Sequence, residues 1–266
     1  MTVTIEIAVD GTDGLVAAQN AGADRVELCA SLLEGGITPS MGMVRAAQDV
    51  ATIPFFVMVR PRGGDFLYSD IEFAAMLHDV AALKAMSIAG IVTGCLTAEG
   101  TIDEIRMRAL VEAARPLEVT HHRGFDMTRN CEEAIEALVR CGVGRVLTSG
   151  QHRLAMDGLE TLARTVRAAR GRIRVIACGG LNRTNIAEVH RRTGADELHF
   201  AAPQVIESGM RFRNPTVLMN RNNLDREFSL TVTDEASVRA TIAALREGQS
   251  ANGSHPEATV TVSARP

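Results

Sequence analysis

No two of the five cysteines (Cys29, Cys95, Cys131, Cys141, Cys178) stand at CxxC spacing, and their number is odd. Both facts argue against a disulfide framework and against a structural zinc site. A basic excess is also missing: the net charge is −4 and the pI is near 6.0. A dedicated nucleic-acid binder needs a basic footprint, so that class is set aside. There is no run of about 20 apolar residues and no basic amphipathic helix, which leaves no membrane role. The amino terminus runs straight into an alternating apolar segment, with no signal-peptide pattern, so the cytoplasm is the expected compartment.

What is present is regular. Short apolar runs alternate with amphipathic stretches along 266 residues. The spacing predicts strands at Thr4–Val9, Arg25–Cys29, Phe55–Arg60, Gly90–Thr93, Leu117–His122, Arg145–Ser149, Arg174–Cys178 and Glu197–Phe200. They are rich in Val, Ile, Leu and Phe, as buried parallel strands are. Helices fall between them, among them Asp70–Met86 and Cys131–Arg140. Gly22, Gly142 and Gly194 each stand shortly before a strand, where a left-handed residue ends a helix. Eight such units predict an α/β fold of TIM type, a single-domain (β/α)8 barrel over residues 1–248. Periodicity alone leaves an open doubly wound sheet as the alternative. Residues Ala201–Phe228 read as a long segment with little structure. Thr233–Arg246 reads as a closing helix with Thr233 or Asp234 as its N-cap, and the tail (249–266, with disorder beginning near Glu247) as disordered.

Strand parity then selects the inward side chains. It places Glu6 and Ala8, Glu27 and Cys29, Glu118, Thr120 and His122, and Glu197 and His199 inside the barrel. A buried carboxylate needs an arginine, a donor, a metal or a proton. These glutamates therefore belong either to a structural network or to a site. His122, with Asp126 beside it in the loop and Glu27 near the rim, is a candidate for proton transfer near neutral pH. His121 has the opposite parity and is expected to pack outward. Arg60 and Arg62 stand two apart next to Gly63-Gly64 and are candidates for gripping an anion, with Arg123; alternatively they neutralise the buried glutamates. Gly179-Gly180 follows the seventh strand, the phosphate position of many barrels. Cys29 and Cys178 end strands and, with His199, form the candidate metal set; soft thiolates with imidazole favour Cu(I).

The blocks Gly22–Cys29, Glu34–Ser40, Arg60–Phe66, Tyr68–Asp70, His122–Met127, Arg145–Gly150 and Met210–Asn214 occur in the order seen in the CutC copper homeostasis family, which this chain resembles from its first strand to about Arg246. The resemblance implies a cytoplasmic TIM-type barrel, a homo-oligomer, and a link to copper tolerance through Cu(I) binding. Carried over by position, Cys29 matches the family's cysteine at the end of the second strand, a proposed copper ligand. Where the family has a second cysteine, late in the first strand, this sequence has Ala8. After His199 it has Phe200-Ala-Ala, where relatives carry small polar residues or cysteine. Two function classes stand: copper binding centred on Cys29, or an enzyme acting on a small anionic metabolite.

Overall fold

Strands this short and apolar are stable only when both faces are covered, and here closure into a barrel covers them. The computed structural model describes residues 3–214, 216–217, 219 and 227–252. Its strands β1 (Thr4–Val9), β2 (Arg25–Leu28), β3 (Phe55–Met58), β4 (Gly90–Thr93), β5 (Glu118–His121), β6 (Arg145–Thr148), β7 (Arg174–Ala177) and β8 (Glu197–Phe200) form one closed barrel in sequence order. All neighbours are parallel, and β8 pairs with β1. The seam register sets Glu6 beside Arg25 on one side and His199 on the other.

The helices are α1 (Thr12–Asn20), α2 (Met41–Val50), α3 (Asp70–Lys84), α4 (Glu104–Ala114), α5 (Cys131–Cys141), α6 (Leu159–Ala169), α7 (Ile186–Thr193) and α8 (Glu235–Asn252). Their limits follow from local chemistry. Ser69 and Glu72 close a reciprocal capping box at the start of α3. In α5, Cys131, Ala134, Ile135 and Leu138 fall on one buried face, and Gly142 ends the helix at φ +78°. Outward strand residues such as Val26, Leu28, Val57 and Val146 pack with the helices. Inward ones form two small apolar clusters, Cys29-Phe56-Met58-Val92 and Leu147-Ile176-Cys178.

Two expectations are corrected. The segment after β8 contains β9 (Pro203–Glu207), which pairs antiparallel with β10 (Ser229–Thr233). Partners so far apart in sequence leave no local turn signal to read. The last helix also runs past Arg246 to Asn252, so residues 247–252 are helical. Residues 253–266 of the expected tail lie outside the described residues. Asp234, not Thr233, caps α8: its carboxylate accepts from the amides of Ala236 and Ser237. Among the described residues no helix is long and apolar enough to cross a membrane.

Candidate functional site

The barrel interior is ionic from its base upward. Arg25 on β2 binds Glu6 on β1 and Glu197 on β8. Arg145 on β6 reaches Glu197 Oε1 at 3.2 Å and also pairs with Glu118. Both guanidiniums lie over the ring of Phe56, at 5.0 and 5.3 Å from its centroid. Planar, always charged guanidinium suits this role, because it satisfies carboxylates and stacks on an aromatic face together. Sequence reasoning missed both arginines, although the parity that turned Glu27 inward turns Arg25 inward too. Glu118 corrects another expectation. As the first residue of β5 it sits where the base of the barrel opens, and its side chain is 56% exposed.

Above this layer the charges form a chain. His199 Nδ1 donates to Glu6 Oε1 at 2.8 Å, and its Nε2 lies 3.7 Å from Glu27 Oε2. The Cys29 thiol donates to that same Glu27 oxygen at 3.6 Å. Glu27 Oε1 is buried without a partner. Burial pushes the Glu6 carboxyl upward, but the hydrogen bond and charge of His199, with Arg25, outweigh it and bring it to about 2. For Glu27 burial prevails over the attraction of His199, and its pKa rises. His199 also rises: burial opposes its charge, yet Glu27 and Glu6 on either side prevail. Four carboxylates (Glu6, Glu27, Glu118, Glu197) thus face three arginines (Arg25, Arg145, Arg174) and one imidazole, an arrangement that is neutral when His199 is protonated. Burial, reinforced by Glu27, holds the Cys29 thiol well above its usual range. Cys178 is buried beside Leu147 and Ile176, and burial raises its thiol as well.

His122 follows β5 and faces the mouth, but its tautomer is set. Nδ1 accepts the Gly124 amide at 3.1 Å, so the neutral ring carries its proton on Nε2. That Nε2–H is buried without a partner. Burial, then His121 and Arg60, keep the ring neutral, with its pKa well below the usual value. Such a ring donates a hydrogen bond; it does not offer Nε2 as a base or a metal ligand. His121 is the reverse: Nδ1–H donates to the His122 carbonyl at 3.0 Å. It is fully buried, and burial lowers it to about 4. Gly94 makes room for both rings, since a Cβ there would stand 2.6 Å from His122 Cε1 and 2.7 Å from His121 Nε2.

The remaining candidates are structural clamps. The two nitrogens of the Arg60 fork are taken by the carbonyls of Glu34, Gly36 and Gly64. Arg62 is held by Glu72, Asp65 and nearby carbonyls. Neither contacts a buried glutamate, and together they form no open anion grip. Asp126 accepts from Arg123, Thr148, Ser149 and Gln151, which fixes the loop after β6. Its oxygens are occupied by those donors. Arg123 is likewise spent on Asp126 and the Ser149 hydroxyl. Gly179 and Gly180 adopt φ +96° and +72°, but α7 begins only at Ile186, so the pair does not open a helix. Gly179 instead allows close approach to Ser149, whose Cβ would lie 2.8 Å from a Cβ added there. The structure therefore unites Glu27, Cys29 and His199 and leaves Asp126, Arg60 and Arg62 in separate loop contacts. Among the described residues no three His, Cys, Asp or Glu side chains are arranged as a metal site. The soft donors that do converge are Cys29 and His199, through Glu27.

Comparison with known proteins agrees with this architecture. A Mesorhizobium japonicum family protein CutC is 63% identical over 242 residues, 91% of this chain and 94% of the relative. The Homo sapiens copper homeostasis protein cutC homolog is 44% identical, covering 88% of this chain and 86% of the relative. The crystal structure of the copper homeostasis protein CutC from Streptococcus agalactiae superposes with a TM-score of 0.71 at 28% identity, over 75% of this chain and 98% of that one. The model of the CutC family matches residues 3–204, and this chain belongs to the CutC family.

Proposed function

We propose that this chain serves copper homeostasis in the cytoplasm by holding Cu(I) between Cys29 and His199 at the barrel mouth. The observation that carries the reading is the shared oxygen of Glu27, 3.6 Å from the thiol and 3.7 Å from the imidazole. Thiolate and imidazole are soft and borderline ligands that suit Cu(I); binding would displace the thiol proton and the Nε2 proton of His199, one taken up by Glu27 and the other released to solvent. The copper homeostasis names of the relatives support the role. Five free, buried cysteines support a reducing compartment. Anaerobic Cu(I) titration against a competing chelator tests the site. Cys29→Ser is expected to weaken binding by at least about tenfold. Ala8→Cys, beside Glu27 in the register, is expected to tighten it. An affinity unchanged by Cys29→Ser would sink the reading.

A second reading, acid–base catalysis on a small metabolite, is favoured by one feature, the Glu6–His199–Glu27 chain. An imidazole oriented by one carboxylate and facing another is a proton-transfer arrangement. Metabolite mixtures screened by thermal shift test it. A hit turned over unchanged by His199→Gln would exclude the Glu6–His199–Glu27 relay as the catalyst. We also propose a homo-oligomer, supported by the exposed apolar side chains of the β9–β10 arm.

A further inference from the structure

A cavity of about 370 Å³ lies at the mouth of the barrel, between the end of β1, the turn Leu32–Glu34 and the β9–β10 hairpin. Ala8 forms its floor, and Leu32, Ala202 and Val232 are among its walls. Asp10 and Asp13 are its charged members; among the described residues that line it there is no Lys, Arg, His or aromatic ring. The size lies within the roughly 300–1,000 Å³ of ordinary small-molecule sites.

The cavity is built rather than incidental. Its roof is tied down where the Asp234 amide donates to the Ala202 carbonyl at 2.8 Å. Gly14 lets α1 approach that roof, for a Cβ there would meet Thr233 Oγ1 at 2.8 Å and Val9 Cβ at 2.9 Å. Asp10 is fixed by the Leu32 amide at 3.2 Å. The floor adjoins Glu27, the register partner of Ala8, whose Oε1 is buried without a partner.

We propose that this cavity binds a small organic cation: a primary ammonium group on a compact apolar body. Apolar walls take the body, and two carboxylates with no lining cation take the charge. An anion would meet uncompensated negative charge there. The absence of aromatic rings removes the cation–π recognition on which quaternary ammonium ligands rely, so a hydrogen-bonding ammonium is favoured. A hydrated metal ion gains nothing from the apolar walls.

Hexylammonium, hexanol and hexanoate provide matched probes, titrated into the metal-free full chain and followed by calorimetry and by NMR shifts of the Ala8, Leu32 and Val232 methyls. Hexylammonium is expected to shift those methyls and to bind more tightly than hexanol, with hexanoate weakest. Asp10→Asn/Asp13→Asn keeps an acceptor for the Leu32 amide and removes both charges. It is expected to weaken hexylammonium by about threefold to tenfold, as two solvent-facing ion pairs would, and to leave hexanol unchanged. Cys29→Ser is expected to leave amine binding intact, which separates this site from the copper reading. The proposal is overturned if hexanoate binds as tightly as the amine, if the double variant binds the amine unchanged, or if no probe moves the three methyls.

Discussion

Replacing Arg25 by methionine would keep most of the side-chain volume and leave Glu6 and Glu197 inside the barrel with one counter-charge fewer. Breaking a buried ion pair from one side costs about 3–5 kcal/mol, and urea denaturation should show a loss of that order. A loss below about 1 kcal/mol would mean that the carboxylates simply take up protons. The pH dependence has a worked sign. Glu6 is at about 2 in the fold against an ordinary 4.5, so its contribution is complete above pH 4.5 and fades as pH falls from there toward 2. His199 is raised above 6.5, so its contribution is complete below that pH and is lost as pH rises through the folded value. Glu27, also raised, contributes a loss that begins above pH 4.5 and is complete once pH passes its folded value. Thermal midpoints should therefore peak between about pH 4.5 and 6.5, and His199→Gln should flatten the alkaline limb. Parallel decline of both proteins above pH 6.5 would refute the assignment. Parity in the sequence identified Glu6, Glu27, Glu197 and His199 as interior. It could not say that the Arg60 fork would turn to loop carbonyls, because that depends on where the loops after β2 and β3 meet.

The βα units were legible where they carry their own boundary chemistry. Apolar runs mark the strands, Ser69 and Asn130 start helices, and Gly142 and Gly194 end them. The β9–β10 hairpin was not legible, since its strands are paired across a long insertion and lie exposed, without the alternating burial that marks a sheet face. An isolated two-stranded hairpin is marginal in water. This one shows Val205 and Leu230, with Phe212 beyond it, at 69%, 53% and 75% exposure. The homo-oligomer proposed above would cover this arm with a second copy of the chain. Phe212→Asp is expected to shift the oligomer toward smaller species in analytical ultracentrifugation while thermal unfolding stays cooperative. An unchanged sedimentation profile would move the interface elsewhere.

At the scale of the whole barrel, closure joins the first strand to the eighth. The β1–β8 seam holds the Arg25–Glu197 pair and the His199–Glu6 bond, contacts that span 172 and 193 residues. Contacts so distant in sequence form late, because loop closure must precede them. A chain ending at Ala195 lacks β8, which takes Glu197 from Arg25 and His199 from Glu6 and leaves those two only each other. It is expected to show no cooperative urea transition by far-UV circular dichroism, and a sharp transition would refute the dependence on the seam.

That seam bears on how the protein is made. While the ribosome is still adding residues short of Phe200, seven of the eight staves exist but the cask cannot hold, because Arg25 still lacks Glu197 and Glu6 still lacks His199 across the seam. The nascent barrel must therefore wait for its final stave, and a translational stall in that interval leaves the facing edges of β1 and β7 unpaired.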